Sequence, residues 1–131
     1  DGLDFSVEML ARAAEKGIYR SLTQADITRP IPLPRHYGGV VSSGTFTAGH
    51  VGPVALPHLL ALALPGAQFA LSINRRVWEA QGFDLALAGL QAEGRITALQ
   101  LIEVEIYGAA AAAIDPSHAS DRAHIALFRA T

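Results

Sequence analysis

Two carboxylates and a pair of serines stand where predicted β-strands end. Asp4 closes a short apolar segment near the start of the chain, and Asp26 closes the alternating segment YRSLTQA at residues 19–25. The apolar run VVSSG at residues 40–44 ends in two serines and a glycine. In open parallel sheets, ligands bind beyond the carboxyl ends of the strands. These three positions are therefore the first candidates for a binding site.

The chemistry of these residues suits an adenosine-containing ligand. A carboxylate carries only acceptor oxygens, so one carboxylate can accept hydrogen bonds from both hydroxyls of a ribose. A second carboxylate could accept from the exocyclic amine of a purine, and a glycine in the third segment allows close approach of the backbone. The alternative is purely structural. Asp is common before helices and prolines, so Asp4 and Asp26 could be only the caps of a helix and a turn.

The surrounding pattern predicts the elements that position these side chains. Ser6 is a good N-cap for a helix that Gly17 ends, and Gly82 and Gly89 weaken a later helix and could divide it in two. The chain closes with two strands and no helix between them, which implies one antiparallel strand near the edge of the sheet. Helices are predicted over residues 6–17, 53–64 (ended by Pro-Gly at 65–66) and 77–93, and strands over residues 19–25, 40–44, 67–74, 96–107 and 123–130.

Alternating strands and helices predict an α/β fold, with a Rossmann-like, mostly parallel sheet, helices on both faces and a C-terminal antiparallel hairpin. The 131 residues are enough for one domain, residues 1–131.

A net charge of -2 without a basic stripe argues against a nucleic-acid partner. Residues 36–74 carry no Asp, Glu, Lys or Arg, but their prolines and glycines argue against a membrane span. The absence of Cys fits a cytoplasmic protein, and the five His residues show no metal-binding spacing.

Several segments resemble the class I S-adenosylmethionine (SAM)-dependent methyltransferases. GLDFSVEMLARAAEKG is similar to their second strand and the helix after it, and LTQADITRPIPLP is similar to the next element. Residues 40–74 resemble the fourth strand, its loop and helix, and the fifth strand. GTFTAGHVGP and NRRVWEAQGF are closest to the small methyltransferase-like proteins related to the Williams–Beuren region product. The resemblance runs from residue 2 to about residue 83 and is only topological beyond it.

The resemblance implies SAM as the cofactor and methyl transfer to a small-molecule acceptor as the reaction. Asp4 would then bind the ribose hydroxyls, and Phe5 would lie against the adenine. Asp26, with the backbone at Ile27, would contact the adenine amine, while Ser43 and Gly44 would flank the methionine part.

The same resemblance suggests residues near the reacting methyl group. His50, in the loop after the family's fourth strand, could act as a base or orient a substrate; the alternative is a contact with backbone or solvent. Asn74 ends the fifth strand on the ligand side, and Trp78 and Tyr107 could line the substrate pocket or be core residues. Arg75 or Arg76 could recognise an acidic substrate, or form an exposed pair.

One departure from the family concerns the beginning of the chain. The family's first strand and its glycine-rich G-x-G-x-G turn would lie immediately before residue 1, so we expect the N-terminal part of the fold to be missing from this sequence. A second chain could supply that strand, which leaves a homo-oligomer open. Two other functions also stay open. One is a non-catalytic partial methyltransferase fold that serves as a binding or assembly module, and the other is a nicotinamide-dependent oxidoreductase.

Overall fold

The computed structural model describes residues 1–47, 51–105 and 122–131, and two β-sheets organise them. The smaller sheet pairs two strands in parallel, and the larger contains four strands in the order β3-β4-β6-β5. The strands are β1 (Gly2–Asp4), β2 (Leu22–Gln24), β3 (Tyr37–Phe46), β4 (Ala63–Asn74), β5 (Ile96–Glu105) and β6 (Arg122–Ala130). The helices are α1 (Val7–Glu15), α2 (Leu56–Leu60), α3 (Arg75–Gln81) and α4 (Phe83–Ala92), with a 3-10 turn at Pro53–Ala55 before α2.

Helix α1 connects the two strands of the small sheet, and its start and end follow the sequence signals. The Ser6 hydroxyl accepts a hydrogen bond from the Met9 backbone N–H at 3.2 Å, which satisfies one of the free donors of the first turn. Gly17 has a φ of 64°, a left-handed conformation that ends the helix at low steric cost. The predicted helix is therefore confirmed. The predicted strand over residues 19–25 is shorter in the structure, since only Leu22–Gln24 pair with β1.

The larger sheet confirms the predicted α/β arrangement with one antiparallel strand near the edge. Strands β3 and β4 run parallel to each other. Strand β6 is antiparallel to both of its neighbours, β4 and β5, and separates them. The closing hairpin therefore places β6 inside the sheet and β5 at its edge.

The predicted boundary between the second helix and the next strand is wrong. Helix α2 ends at Leu60, and Pro65-Gly66 lies inside β4 instead of closing the helix. Pro57 lies in the first turn of α2, where the N–H that proline lacks would have no partner within the helix. Between the pairs Tyr37↔Ala63 and Gly39↔Gln68, β3 advances two residues and β4 advances five. The additional residues of β4 form an irregularity that contains Gly66 at a φ of 83°.

The later helical segment divides at Gly82, the first of the two glycines that the sequence marked, while Gly89 lies inside α4. Gly82 has a φ of 70° and separates α3 from α4. Asn74 begins α3, because its side-chain oxygen accepts a hydrogen bond from the Arg76 backbone N–H at 2.9 Å, as a helix N-cap does.

The hydrophobic core lies between one face of the larger sheet and helices α2, α3 and α4. Side chains of β4 alternate between the two faces, so Phe69, Leu71 and Ile73 point to the same side. All three are 0% exposed. The Phe69 and Phe128 rings stack with their centroids 4.8 Å apart. The helices contribute Leu56, Leu59, Leu60, Val77, Trp78, Phe83, Leu87 and Leu90. Within the described ranges, no helix is long and apolar enough to cross a membrane.

Candidate functional site

The structure brings Asp4 and Asp26 to the same edge of the small sheet. Asp4 is the last residue of β1 and pairs with Gln24, the last residue of β2. Beyond that pair, the Ala25 backbone N–H donates to the Asp4 carbonyl oxygen at 3.1 Å, and Asp26 follows directly. The two carboxylates therefore stand beyond the carboxyl ends of two adjacent parallel strands. This is the edge at which ligands bind in sheets of this kind.

Asp4 has acceptor capacity left after its contact within the chain. Its Oδ1 accepts a hydrogen bond from the Ser6 backbone N–H at 2.9 Å, and the residue is exposed. Its Oδ2 accepts no hydrogen bond from any residue that the structure describes. The next residue, Phe5, is 70% exposed, and Gln24 Nε2 fixes its carbonyl oxygen at 3.1 Å. Asp4 can therefore accept the Ser6 N–H at the start of α1 and still accept hydrogen bonds from a ribose.

Asp26 makes more contacts within its own turn than Asp4 does. Its Oδ1 accepts from the Thr28 backbone N–H at 2.9 Å and from the Thr28 hydroxyl at 2.6 Å. Arg29 Nε lies 3.7 Å from Oδ2. The hydrogen bonds from Thr28 hold the pKa of this carboxyl below its ordinary value of 3.8, with a smaller contribution from the Arg29 charge, because both favour the ionised form. Ile27 packs against the main core and anchors the turn.

Replacing Asp26 with Asn should remove a contribution to stability that depends on pH. The folded pKa lies below the ordinary value of 3.8, so the contribution is present in full above that pH and is lost as the pH falls through the folded pKa. The difference in free energy of unfolding between parent and Asp26→Asn should therefore be larger near neutrality than in acid. Urea unfolding between about pH 7 and about pH 2 measures this difference. A difference that is the same at every pH would contradict the lowered pKa.

The end of β3 is irregular at the serine and glycine that the sequence singled out. Between the pairs Ser42↔Leu71 and Phe46↔Ile73, β3 advances four residues while β4 advances two. The two additional residues make a bulge in which Gly44 has a φ of 77°. Bulges bend a strand and redirect its side chains, and they are common beside functional sites. Ser43 lies in this bulge.

Replacing Gly44 with Ala should lower the free energy of unfolding by about 1 kcal/mol, because a left-handed backbone is unfavourable for any residue with a Cβ. A Cβ at Gly44 meets nothing within 4 Å, so the backbone conformation alone carries the cost. Gly38→Ala is the matched control in the same strand, since Gly38 has equal space and no positive φ. We expect the control to change stability by less than about 0.5 kcal/mol. Urea unfolding followed by circular dichroism compares them, and equal stabilities would contradict the strain at Gly44.

Of the remaining predicted site residues, two lie in segments that the structure does not describe, one caps a helix and one lies in the core. His50 and Tyr107 lie outside the described residues. Asn74 caps α3. Trp78 is 8% exposed and belongs to the core, where its ring lies 4.8 Å from the His124 ring and 6.2 Å from the Phe83 ring. The assignment of these residues to a substrate pocket stays a prediction.

Arg75 is held by carboxylates of the chain itself. Its Nη1 lies 3.7 Å from Glu103 Oε1, and its Nε lies 3.9 Å from Glu79 Oε1. Recognition of an acidic substrate would have to compete with both. Within the described ranges, no group of three His, Asp or Glu residues lies close enough to hold a metal ion.

A cavity of about 320 Å³ on the larger sheet, toward the carboxyl ends of β3 and β4, was not predicted from the sequence. All four strands of the sheet contribute to it. The sequence signal was limited to the small residues Ala70 and Ser72 at alternate positions of β4 and Ala123 near the start of β6, and nothing local says that the two strands are neighbours. The lining residues are Ser42, Ser43, Ala70, Ser72, Val104, Glu105, Ala123 and Ile125.

The two sheets contact each other at their amino ends. The Tyr37 hydroxyl, at the start of β3, donates to Asp1 Oδ2 at 2.8 Å. Arg20 also binds the Asp1 carboxylate, through two hydrogen bonds of 2.9 and 2.7 Å. This polar cluster ties the start of β1 to the start of β3.

Solved structures that share this fold include the three described below. No protein-family model and no curated protein matches the sequence. The SeMet-substituted CurJ carbon methyltransferase matches 98% of this chain with a TM-score of 0.63 and 18% identity, and this chain covers 41% of it. The [4+2]-cyclase SpnF matches 99% of this chain with a TM-score of 0.62 and 15% identity, and this chain covers 65% of it. The MccD protein matches 99% of this chain with a TM-score of 0.61 and 13% identity, and this chain covers 79% of it.

These likenesses concern the fold, because identities of 13–18% say nothing about shared substrates. The chain spans less than two thirds of the length of the CurJ and SpnF structures. Almost the whole described chain nevertheless superposes on each of the three. The chain therefore has a Rossmann-like fold of the kind found in the CurJ carbon methyltransferase.

Proposed function

We propose that this chain binds SAM at the edge formed by Asp4 and Asp26 and contributes to methyl transfer to a small-molecule acceptor. One observation carries the proposal: two carboxylates and the exposed Phe5 ring stand together beyond the ends of two parallel strands. The likeness to the fold of a carbon methyltransferase supports it.

The side chains at this edge fit the parts of an adenosine. Asp4 would accept hydrogen bonds from the two ribose hydroxyls, because its Oδ2 accepts none within the described chain. The exposed Phe5 ring would stack on the purine. Asp26 would accept from the purine amine through Oδ2, since Thr28 already occupies Oδ1. The Asp26 carboxyl, whose pKa lies below its ordinary value of 3.8, is ionised at neutral pH, and an ionised acceptor makes a stronger hydrogen bond than a neutral one.

The bulge at the end of β3 would complete the site at the methionine end of the cofactor. SAM supplies a methyl group activated by a sulfonium, so the protein's task is binding and orientation more than acid–base chemistry. Gly44 allows close approach of the backbone, and Ser43 stands beside it with a hydroxyl. His50 follows in sequence and is the candidate to orient the acceptor or take its proton.

A titration with S-adenosylhomocysteine and, separately, with NADH tests the proposal. Isothermal calorimetry on the purified protein should show micromolar binding of S-adenosylhomocysteine and none of NADH. NADH has a ribose and an adenine too, so selective binding points to the amino-acid part of the ligand. Binding of NADH alone would favour an oxidoreductase and overturn the proposal.

A non-catalytic binding or assembly module is the second candidate. Apolar side chains are exposed around α1: Phe5 by 70%, Val7 by 63%, Met9 by 54% and Ile18 by 73%. Exposed apolar groups of this size commonly mark an interaction surface. The [4+2]-cyclase SpnF has a similar fold, although its name is not that of a methyltransferase. The fold alone therefore does not require methyl transfer. Binding of neither ligand by a stably folded oligomer, measured by light scattering, would favour this second function.

A further inference from the structure

We propose that the cavity on the larger sheet holds the methyl acceptor, and that this acceptor is a small, flat and uncharged molecule. The inference rests on the proposed function, because only SAM binding makes a neighbouring pocket an acceptor site. Its own support comes from the position, the shape and the charge of the cavity.

The cavity begins where the proposed cofactor site ends. Ser43 belongs to both, as a residue of the β3 bulge and as part of the cavity wall. On β4, Ser72 lies two residues before the end of the strand, opposite Ile125 of β6. On β5, Val104 lies one residue before the end, opposite Ala123 of β6. The cavity therefore lies toward the carboxyl ends of β3, β4 and β5. An acceptor there would be next to a methionine portion held at Ser43.

Small side chains on the sheet face away from the core form part of the cavity floor, beside the larger Val104 and Ile125. Ala70 and Ser72 alternate with the buried Phe69, Leu71 and Ile73, so they point to the opposite face. Ala123 of β6 adds another small side chain to the same floor. Small residues on a pleated surface leave a shallow, extended hollow. The volume of about 320 Å³ lies at the lower end of the range for small-molecule sites. A flat ring system fits this shape better than a globular molecule does.

Among the lining residues that the structure describes, the wall carries hydroxyls but no unpaired charge. Glu105 is the only titratable residue among the lining residues that the structure describes. Arg122 Nη1 lies 2.9 Å from Glu105 Oε1, in an ion pair that is not a well-aligned hydrogen bond. A charged ligand would lose hydration and find no free counter-charge among these described residues, which is unfavourable. An uncharged ligand could place its rings on the apolar floor and hydrogen-bond to Ser43 or Ser72.

Three probes with the same ring system test the charge preference: uncharged 2-naphthol, anionic 2-naphthoate and cationic 2-naphthylmethylammonium. Equilibrium dialysis with the parent protein at neutral pH should show 2-naphthol binding at least tenfold more tightly than either ion. The same measurement with saturating S-adenosylhomocysteine should leave 2-naphthol bound, because the two ligands occupy adjacent places. Equal binding of the three probes, or displacement by S-adenosylhomocysteine, would overturn the inference.

Two substitutions test the location. Ala70→Leu places a larger side chain on the floor and should weaken 2-naphthol binding at least tenfold. Ala80→Leu, at an exposed position of α3 away from the cavity, is the matched control and should leave it unchanged. Should Ala70→Leu fail to fold by circular dichroism, Ser72→Leu fills the same floor. Binding of 2-naphthol that neither floor variant weakens would overturn the inference.

Titration of S-adenosylhomocysteine on the same samples separates this inference from the proposed function. Ala70→Leu should bind S-adenosylhomocysteine as the parent does. Normal S-adenosylhomocysteine binding without selective 2-naphthol binding would overturn the acceptor pocket and leave the proposed function standing. If the parent protein does not bind S-adenosylhomocysteine, the proposed function is overturned, and with it the identification of the cavity as an acceptor site.

Discussion

Replacing Phe69 with Ala is expected to lower the free energy of unfolding by about 3–5 kcal/mol, as for other buried aromatic residues. Phe69 is 0% exposed in the central strand β4, and its ring stacks on Phe128 at a centroid distance of 4.8 Å. Truncation removes the buried ring and leaves a cavity that the flanking strands cannot fill without shifting. Since whole domains are stable by only about 5–15 kcal/mol, a large part of the stability would be lost. Urea unfolding followed by circular dichroism measures the change.

Phe5→Ala is the matched control, because the same ring is removed from a position that is 70% exposed. We expect it to change the free energy of unfolding by less than about 0.5 kcal/mol. Under the proposed function it should nevertheless weaken S-adenosylhomocysteine binding, since the ring would no longer stack on the adenine. A loss of stability as small for Phe69→Ala as for Phe5→Ala would mean that the main core is not where the structure places it.

Elements whose signals are local in sequence were predictable. Ser6 and Gly17 mark the ends of α1 because a cap and a left-handed stop depend on neighbouring residues alone. Gly82 divides the later helical segment for the same local reason. The closing hairpin was predictable because two strands without a helix between them pair most simply as antiparallel neighbours.

Features that depend on pairing between distant strands were not predictable. Pro65-Gly66 reads as the end of a helix, but in the structure it lies in an irregular part of β4 whose shape depends on its register with β3. The cavity has the same origin. Ser43, Ser72 and Ala123 become neighbours only through the strand order β3-β4-β6-β5, which no short segment encodes. The edge formed by Asp4 and Asp26 was predictable because one strand–helix–strand unit of the chain contains both residues.

Replacing Asp4 with Ala is expected to raise the dissociation constant for S-adenosylhomocysteine by roughly thirtyfold or more, which corresponds to about 2 kcal/mol. A carboxylate that accepts from two ribose hydroxyls makes charge-assisted hydrogen bonds, which are stronger than neutral ones. Gln24 beside it is a poor replacement, because its amide oxygen carries no charge and its Nε2 already donates to the Phe5 carbonyl oxygen. Isothermal calorimetry on parent and variant measures the two constants directly. Asp4→Asn keeps the volume and should also weaken binding, because the amide has one acceptor oxygen and no charge.

Asp4→Ala also removes the hydrogen bond from the Ser6 backbone N–H, so a weaker start of α1 could by itself disturb the site. Ser6→Ala isolates that effect. It removes the hydroxyl that caps the Met9 N–H and should cost about 1 kcal/mol of helix stability, while leaving the Asp4 carboxylate in place. We expect S-adenosylhomocysteine binding by Ser6→Ala to stay within about threefold of the parent. If Asp4→Ala binds as tightly as the parent, Asp4 is only a cap. If Ser6→Ala loses as much affinity as Asp4→Ala, the start of the helix, and not the carboxylate, governs binding at this edge.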